Sequence, residues 1–223
     1  MNQPTTWDKV DQYITERLIP QDSVLEEVLS ANQQAGLPPF DVSPSQGKFL
    51  NLLVQMKGAR RILEIGTLGG YSTIWMARAL PSDGHIVTLE LDPSHAQVAG
   101  ANFALAQVDD LIELRIGDAL GQLSQMKQEG VEPFDFIFID ADKPNNPNYL
   151  QWALQFSRPG TVIIGDNVIR EGEIINKNSE DPRVVGVREF YDLLAEEPKI
   201  SATAIQTVGS KGYDGFVLGI VNS

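Results

Sequence analysis

Val10, Ile14 and Leu18 recur at helical spacing and predict an amphipathic helix over residues 7–19, which Pro20 ends. Asp22 then predicts the cap of a second helix reaching about residue 34, closed by Gly36 and Pro38-Pro39. A third helix is expected from Ser43-Pro44-Ser45-Gln46, with Ser43 as N-cap, Pro44 at the first helical position and Gln46 closing a capping box. It would carry Phe49, Leu50, Leu53 and Val54 inward. From residue 61 the pattern changes. Short apolar runs at 61–65, 86–91, 112–116, 134–139 and 162–165 alternate with helical stretches near 70–80, 93–107, 118–128 and 147–157. Uninterrupted runs such as FDFIFI suit strands buried on both faces. Their alternation with helices predicts an α/β protein with a doubly wound, mostly parallel sheet. The chain should end with a helix at about 184–196 and two strands, 200–208 and 216–221. The Gly-rich stretch 209–215 joins them, so they should pair antiparallel. No repeat and no long linker interrupts residues 1–223. The expectation is one domain, with helices over 1–57 and an α/β core over 58–223.

Composition narrows the function classes. A chain of 223 residues that is 42% hydrophobic can bury a sizeable core and is no disordered tail. It has no cysteine, which removes disulfides, thiol nucleophiles and thiolate metal sites, and suits a reducing compartment. With only His85 and His95, most zinc chemistry goes too. The formal net charge of -13 would repel a phosphate backbone, so nucleic acid is not an expected partner. No apolar run approaches 18 residues, so no membrane span is expected. The start, MNQPTTWDKVDQY, lacks the basic and apolar regions of a secretory signal, and a cytoplasmic protein is expected.

In open parallel sheets, ligands bind beyond the carboxyl ends of the strands. The residues there are Glu64 to Gly70, Glu90-Leu-Asp92, Gly117-Asp118-Ala119, Asp140-Ala-Asp142-Lys143 and Asp166-Asn167. Polar turn residues belong at strand ends in any case, but acids or amides at all five are more than turns require. The first turn is glycine-rich and opens a helix, yet lacks the G-x-G-x-x-G that fits a pyrophosphate. A nucleoside without a phosphate fits better. Glu90, twenty residues after Gly70, is placed to accept from ribose hydroxyls. Asp118 fits two readings, an acceptor for an adenine amino group or a helix N-cap. Asp140, Asp166 and Asn167 should end two adjacent strands. Three hard oxygen donors suit Mg²⁺ or Ca²⁺. Lys143 lies three residues past Asp140, and a lysine beside a divalent cation loses its proton more easily. A plain turn with an Asp–Lys pair fits that spacing equally well.

The stretch Ile62-Leu-Glu64-Ile-Gly66-Thr-Leu-Gly69-Gly70-Tyr71-Ser72 resembles the first motif of class I S-adenosylmethionine-dependent methyltransferases. With Asp140-Ala-Asp142-Lys143 and Gly165-Asp166-Asn167, the chain resembles the cation-dependent O-methyltransferases of the catechol and caffeoyl-CoA type. The similarity runs from about Asp41 to Gly212-Tyr-Asp-Gly215. The resemblance implies a Rossmann-like methyltransferase fold with a seven-stranded sheet, S-adenosyl-L-methionine as cofactor and Mg²⁺ (or Ca²⁺ or Mn²⁺) as metal. It also implies a small phenolic substrate and a homodimer. By the same resemblance Val42 contacts the methionine portion, Glu64, Gly66, Thr67, Gly70 and Ser72 line the methionine and ribose region, and Glu90 holds the ribose. Asp118 and Ala119 then flank the adenine, and Asp140, Asp166 and Asn167 bind the metal. Lys143 becomes the general base, with Asp140 bordering both metal and cofactor. Such a site answers a chemical need: a phenol, with a pKa of about 10, must be deprotonated in line with the methyl group.

Two positions depart from the pattern of that family. Asn146 stands where many members carry an aromatic residue, and Arg170 stands where many carry the tryptophan of Asp-Asn-x-x-Trp. Arg170 fits either an acceptor carboxylate or a surface pair with Glu171 or Glu173. Trp7, Trp75 and Trp152 read as core or dimer-contact residues. His85, on a turn, and His95, on an early helix, carry no catalytic signal, and Tyr213 in the last loop is a speculative neighbour of the acceptor. Two other classes remain open here, a nicotinamide-dependent oxidoreductase and a non-catalytic cofactor-binding protein.

Overall fold

The computed structural model describes residues 5–222. Three helices come first: α1 (Thr6–Leu18), α2 (Ser23–Gln34) and α3 (Pro44–Lys57). Strands and helices then alternate as β1 (Arg61–Ile65), α4 (Tyr71–Ala77), β2 (His85–Glu90), α5 (Pro93–Leu105), β3 (Ile112–Ile116), α6 (Ala119–Gln128), β4 (Phe134–Ile139), α7 (Asn146–Gln155) and β5 (Ser157–Asp166). The chain closes with α8 (Pro182–Glu196), β6 (Ile200–Gly209) and β7 (Gly212–Val221). One sheet orders them β3-β2-β1-β4-β5-β7-β6. The first five strands run parallel, and β7 is antiparallel to both β5 and β6. This is the doubly wound, mostly parallel sheet with an antiparallel C-terminal pair that the pattern predicts.

Apolar residues cover both faces of the sheet, which is why the parallel strands read as continuous runs. On one face Leu123 and Met126 of α6, Leu150 and Ala153 of α7, and Val187 and Phe190 of α8 pack on Leu63, Val87 and Ile137. On the other, Val28, Leu50, Val54, Ile74 and Phe103 of α2 to α5 pack on Ile62, Ile86, Phe136 and Ile164. Trp75 is in this second core, whereas Trp152 is partly buried and stacks on Phe156.

Several expectations shift. The helix at α1 forms, but it buries none of its residues: Val10 is 50% and Leu18 71% exposed. Its apolar stripe is real, and nothing among the described residues buries it. Strand β2 starts at His85, a residue expected on a turn, and ends at Glu90, leaving Leu91 exposed. Strand β5 starts at Ser157, five residues before the apolar run. Its register breaks between Phe134 and Phe136, where Pro159 and Gly160 bulge outward. The Gly-rich stretch after β6 is not an open loop. Only Ser210 and Lys211 turn the chain, because Gly212 takes a φ of +94° and Tyr213 to Gly215 continue into β7. Ser43 caps α3, but the capping box is half made. The side chain of Gln46 reaches away from the helix to Asp166.

Candidate active site

The strand order reverses direction between β1 and β4, and their carboxyl ends open the crevice where such sheets bind ligands. The turn after β1 is built against backbone. Gly66 has φ +103°, and a Cβ there would lie 2.2 Å from the Asp140 carbonyl oxygen. Gly70, at φ +82°, would drive a Cβ into the Phe103 ring. The turn is also locked by an amide network. Asn102 Nδ2 donates to the Gly69 carbonyl (2.8 Å) and to Asn32 Oδ1 (2.9 Å), while Asn32 Nδ2 donates to Asp41 Oδ1 (2.8 Å). Asn32 and Asn102 are buried, and they tie α2 and α5 to the turn and to the approach to α3.

Glu64 and Glu90 face the turn differently. Glu64 is fully buried and accepts from Ser72 Oγ (2.6 Å), Thr88 Oγ1 (2.7 Å) and Thr73 Oγ1. Thr67 joins the group through a 2.6 Å contact between its hydroxyl and that of Thr88. Glu90 Oε2 accepts from the Leu68 N–H (2.7 Å) and the Thr67 N–H (3.3 Å). Its Oε1 accepts from Asp92 N–H (2.9 Å), with His95 Nδ1 at 3.4 Å. So Glu90 holds the turn from the end of β2, and His95, though not a catalytic candidate, touches it.

Burial pushes the Glu64 carboxyl up to about 7, against three hydroxyl donors that lower it, with Asp140's charge adding a smaller rise. The sign follows from linkage. The folded state holds the proton more tightly than the unfolded chain, whose glutamate titrates near ~4.3. Stability is therefore full below that value and is lost as pH rises to about 7. Glu64→Gln should remove this loss. Urea unfolding at pH 4.5 and 8 should show the variant gaining on the wild type by roughly 3 kcal/mol across that range. Parallel curves would mean that Glu64 stays ionised in the fold.

On the adenine side, Asp118 is exposed and uses Oδ2 to cap α6 through Gly121 N–H (2.8 Å), with Ala119 as the first helical residue. The cap reading of Asp118 thus holds, and one of its oxygens is committed to it. Val42 is buried just ahead of α3.

The acidic end lies beside this turn. β4 and β5 are neighbours, with Ile139 opposite Gly165, so Asp140 and Asp166 leave adjacent strands side by side. Lys143 is buried, and its Nζ donates to Asp140 Oδ1 at 2.9 Å. Asp166 is buried too. Desolvation, then the charge of Asp140, pushes its carboxyl above the usual carboxylate range, against Lys143, the Asn167 N–H and Gln46. Asn167 follows in the left-handed region, with φ +53°.

The donor chemistry fits a hard divalent cation. Two carboxylates in a site too dry to ionise both comfortably, plus one amide oxygen, suit Mg²⁺, Ca²⁺ or Mn²⁺. No group of three or more His, Cys, Asp or Glu side chains gathers among the described residues, so the amide of Asn167 would be needed.

Beyond Asn167 the backbone is strained: Arg170, Glu171 and Gly172 also have positive φ. Asp214 of β7 holds this segment, its Oδ1 accepting from the N–H of Ile169 (2.8 Å), Arg170 (3.1 Å) and Gly215 (3.0 Å). Arg170 faces Asp214 Oδ2 at 3.7 Å rather than Glu171 or Glu173. Tyr213 packs near Gly172 and bonds Gln206. Asn146 is fully buried with neither side-chain polar atom hydrogen-bonded among the described residues. A separate surface depression lies between residues 174–177 and α8, lined by Ile174, Ile175, Lys177, Arg188, Tyr191 and Asp192, and contains none of these residues.

Sequence reasoning missed Asn32, Thr73, Thr88, Asn102, Asp214 and the true partner of Gln46. All but Asp214, which stands in the Gly-rich stretch, are polar residues on an otherwise apolar or helical pattern. That oddity was the only available signal, and it names no partner.

A family model described as O-methyltransferase matches residues 15–218. A catechol O-methyltransferase of Niastella koreensis is 50% identical over 215 residues, covering 96% of this chain and 97% of that protein. An O-methyltransferase from Bacillus cereus, solved in complex with SAH, superposes with a TM-score of 0.96 at 64% identity, covering 97% of this chain and 99% of that one. The O-methyltransferase TomG from Streptomyces achromogenes, solved with SAM, gives a TM-score of 0.95 at 46% identity, with both chains covered completely.

Proposed function

This chain belongs to the O-methyltransferase family, and on that premise we propose that it methylates one hydroxyl of a small catechol-type vicinal diol, using S-adenosyl-L-methionine and a divalent cation. The observation that carries the finer reading is buried Lys143 paired with half-buried Asp140 beside buried Asp166.

Cofactor use is supported by the two solved relatives, which hold SAH and SAM, and by the locked turn that follows β1. Gly66, Thr67, Gly70 and Ser72 form that turn and the start of α4. With Val42 and Glu64 they would enclose the methionine and ribose region. Glu90 and the Asp118-Ala119 pair would take the ribose and adenine. Asp140, Asp166 and Asn167 would hold the cation. When bound, such an ion supplies Lewis acidity toward two neighbouring hydroxyls and fixes their direction.

The chain's own residues perform the rest. Lys143, tethered to Asp140, accepts the proton of the reacting hydroxyl. A carbon–oxygen bond forms as the methyl–sulfur bond breaks. The electron pair of the broken bond stays on sulfur, and the proton passes from Lys143 to solvent. The rigid turn and strand ends set the approach, where alignment contributes much of the rate. The acidic strand ends favour both a sulfonium and a metal ion.

Homodimer formation belongs to the same reading, supported by the uncovered apolar stripe of α1. A cytoplasmic location does too. No helix among the described residues is long and apolar enough to cross a membrane.

The test is methyl transfer from labelled S-adenosylmethionine to catechols and hydroxycinnamates, with Mg²⁺ and with EDTA. Transfer that EDTA abolishes is expected. Transfer that survives EDTA would keep the methyltransferase and overturn the assignment of Asp140, Asp166 and Asn167. Bound SAH without transfer to any catechol would overturn the acceptor class.

A further inference from the structure

Gln46 sits in the first turn of α3, 120 residues from Asp166, yet its Nε2 donates to Asp166 Oδ2 at 2.6 Å. The local sequence explains how it is free to do so. Ser43 Oγ already accepts the Gln46 N–H (3.2 Å), so the helix start is satisfied without the Gln46 side chain.

The backbone that presents it is fixed. Gly47 lies flat on the Trp75 indole, where a Cβ would come within 2.3 Å of the ring. One turn later Asn51 Nδ2 donates to the Trp75 carbonyl (2.9 Å). Both contacts bolt α3 to α4, the helix opened by the glycine turn. Val42, at the cofactor side, is four residues before Gln46.

We propose that Gln46 is a positioning residue for the metal site: its amide holds Asp166 Oδ2, leaving Oδ1 to face the cation. This rests on the metal reading above. A neutral amide suits the task better than a cationic donor. It satisfies one oxygen of a buried carboxylate without cancelling the charge that attracts the metal. Because Val42 lies two residues ahead of α3, the same helix start sets the cofactor side and the metal side of the site relative to each other. Donors that orient a ligating carboxylate typically change metal affinity 10–100-fold when removed.

The experiment measures Mn²⁺ binding by electron paramagnetic resonance for the wild type, Gln46→Met, Gln46→Asn and Asp166→Asn, each checked for SAH affinity by calorimetry. Methionine keeps the bulk without the donor, and asparagine keeps the amide one methylene too short. Both should weaken Mn²⁺ binding roughly 10–100-fold while SAH affinity stays within about threefold of wild type, and Asp166→Asn should lose Mn²⁺ binding. If both Gln46 variants bind Mn²⁺ like wild type while Asp166→Asn does not bind, the role of Gln46 is overturned and the metal site stands. If Asp166→Asn binds Mn²⁺ normally, the metal reading itself falls, and the proposal with it. Loss of Mn²⁺ and SAH binding together in both Gln46 variants would make Gln46 a folding residue and overturn the positioning role.

Discussion

Lys143→Met should lower kcat by roughly two to four orders of magnitude while SAH affinity stays near wild type. The lysine is buried, and its Nζ is 2.9 Å from Asp140 Oδ1. Methionine fills nearly the same volume, so packing at the junction of β4 and α7 changes little. What disappears is the group placed to take the hydroxyl proton. A merely structural role predicts something else. Removing a cation from beside Asp140 would leave that carboxylate without its partner, which destabilises the fold but leaves the rate of a folded, metal-loaded enzyme largely intact. Three measurements separate the two roles: kcat at saturating metal and acceptor, SAH binding, and Mn²⁺ affinity. The base role predicts lost kcat with Mn²⁺ affinity equal or higher, because a positive charge next to the cation is gone. A kcat within tenfold of wild type would end the assignment of Lys143.

Gly66→Ala should cost about 3 kcal/mol or more of stability and remove SAH binding. Two independent obstacles add. The φ of +103° is one that L-residues rarely adopt, and the new methyl would sit 2.2 Å from the Asp140 carbonyl oxygen. Neither neighbour can yield. Gly66 N–H donates to the Leu89 carbonyl (3.1 Å), and Asp140 N–H donates to the Ile65 carbonyl (2.9 Å), so both backbones are sheet-bound at this level. Pushing them apart would separate β1 from β4 where the glycine turn meets the acidic strand ends. Gly100→Ala is the matched control. It lies in α5 with open space around the new methyl, and should stabilise by about 0.5–1 kcal/mol. Thermal or urea unfolding of the two variants, with SAH calorimetry, gives the comparison. A Gly66→Ala protein as stable as Gly100→Ala would mean that the turn relaxes and that the strand ends are not rigidly set.

The strain after Asn167 has the same logic at a distance. Asn167, Arg170 and Glu171 are non-glycine residues in the left-handed region, and such backbone persists only when its surroundings over-determine it. Here Asp214, on a strand added late in the chain, does so by accepting two N–H bonds from the segment, those of Ile169 and Arg170. The Gly-Tyr-Asp-Gly segment, expected as an open loop, is therefore the start of β7 and braces the segment following the proposed metal ligands.

Much of this protein was written locally and could be read that way. The runs at 61–65, 112–116 and 134–139 became β1, β3 and β4 with the same bounds; β4, at the centre of the sheet, is buried along its whole length, whereas β3 at the edge alternates apolar and charged residues. Asp22 and Ser43 capped helices as expected, since a cap needs only a short side chain and the next few amides. Strand ends were equally legible, and with them the positions of Gly66, Glu90, Asp140 and Asp166. What the chain's local pattern could not hold was every pairing between distant residues. Gln46 had a satisfactory local partner in the capping box, and only the placement of α3 against β5 gave Asp166 the stronger claim. Asn32 and Asn102 looked like polar residues on helices; packing turned them into one buried network around the glycine turn. The stripe of α1 predicted a buried face, but the tertiary structure sets α1 against the outer strand β6 and α3 without burying any of its residues. Periodicity and turn chemistry act over a few residues and are fixed by sequence. Which polar groups meet is decided by packing alone, since a buried donor must find its acceptor wherever the fold has put one.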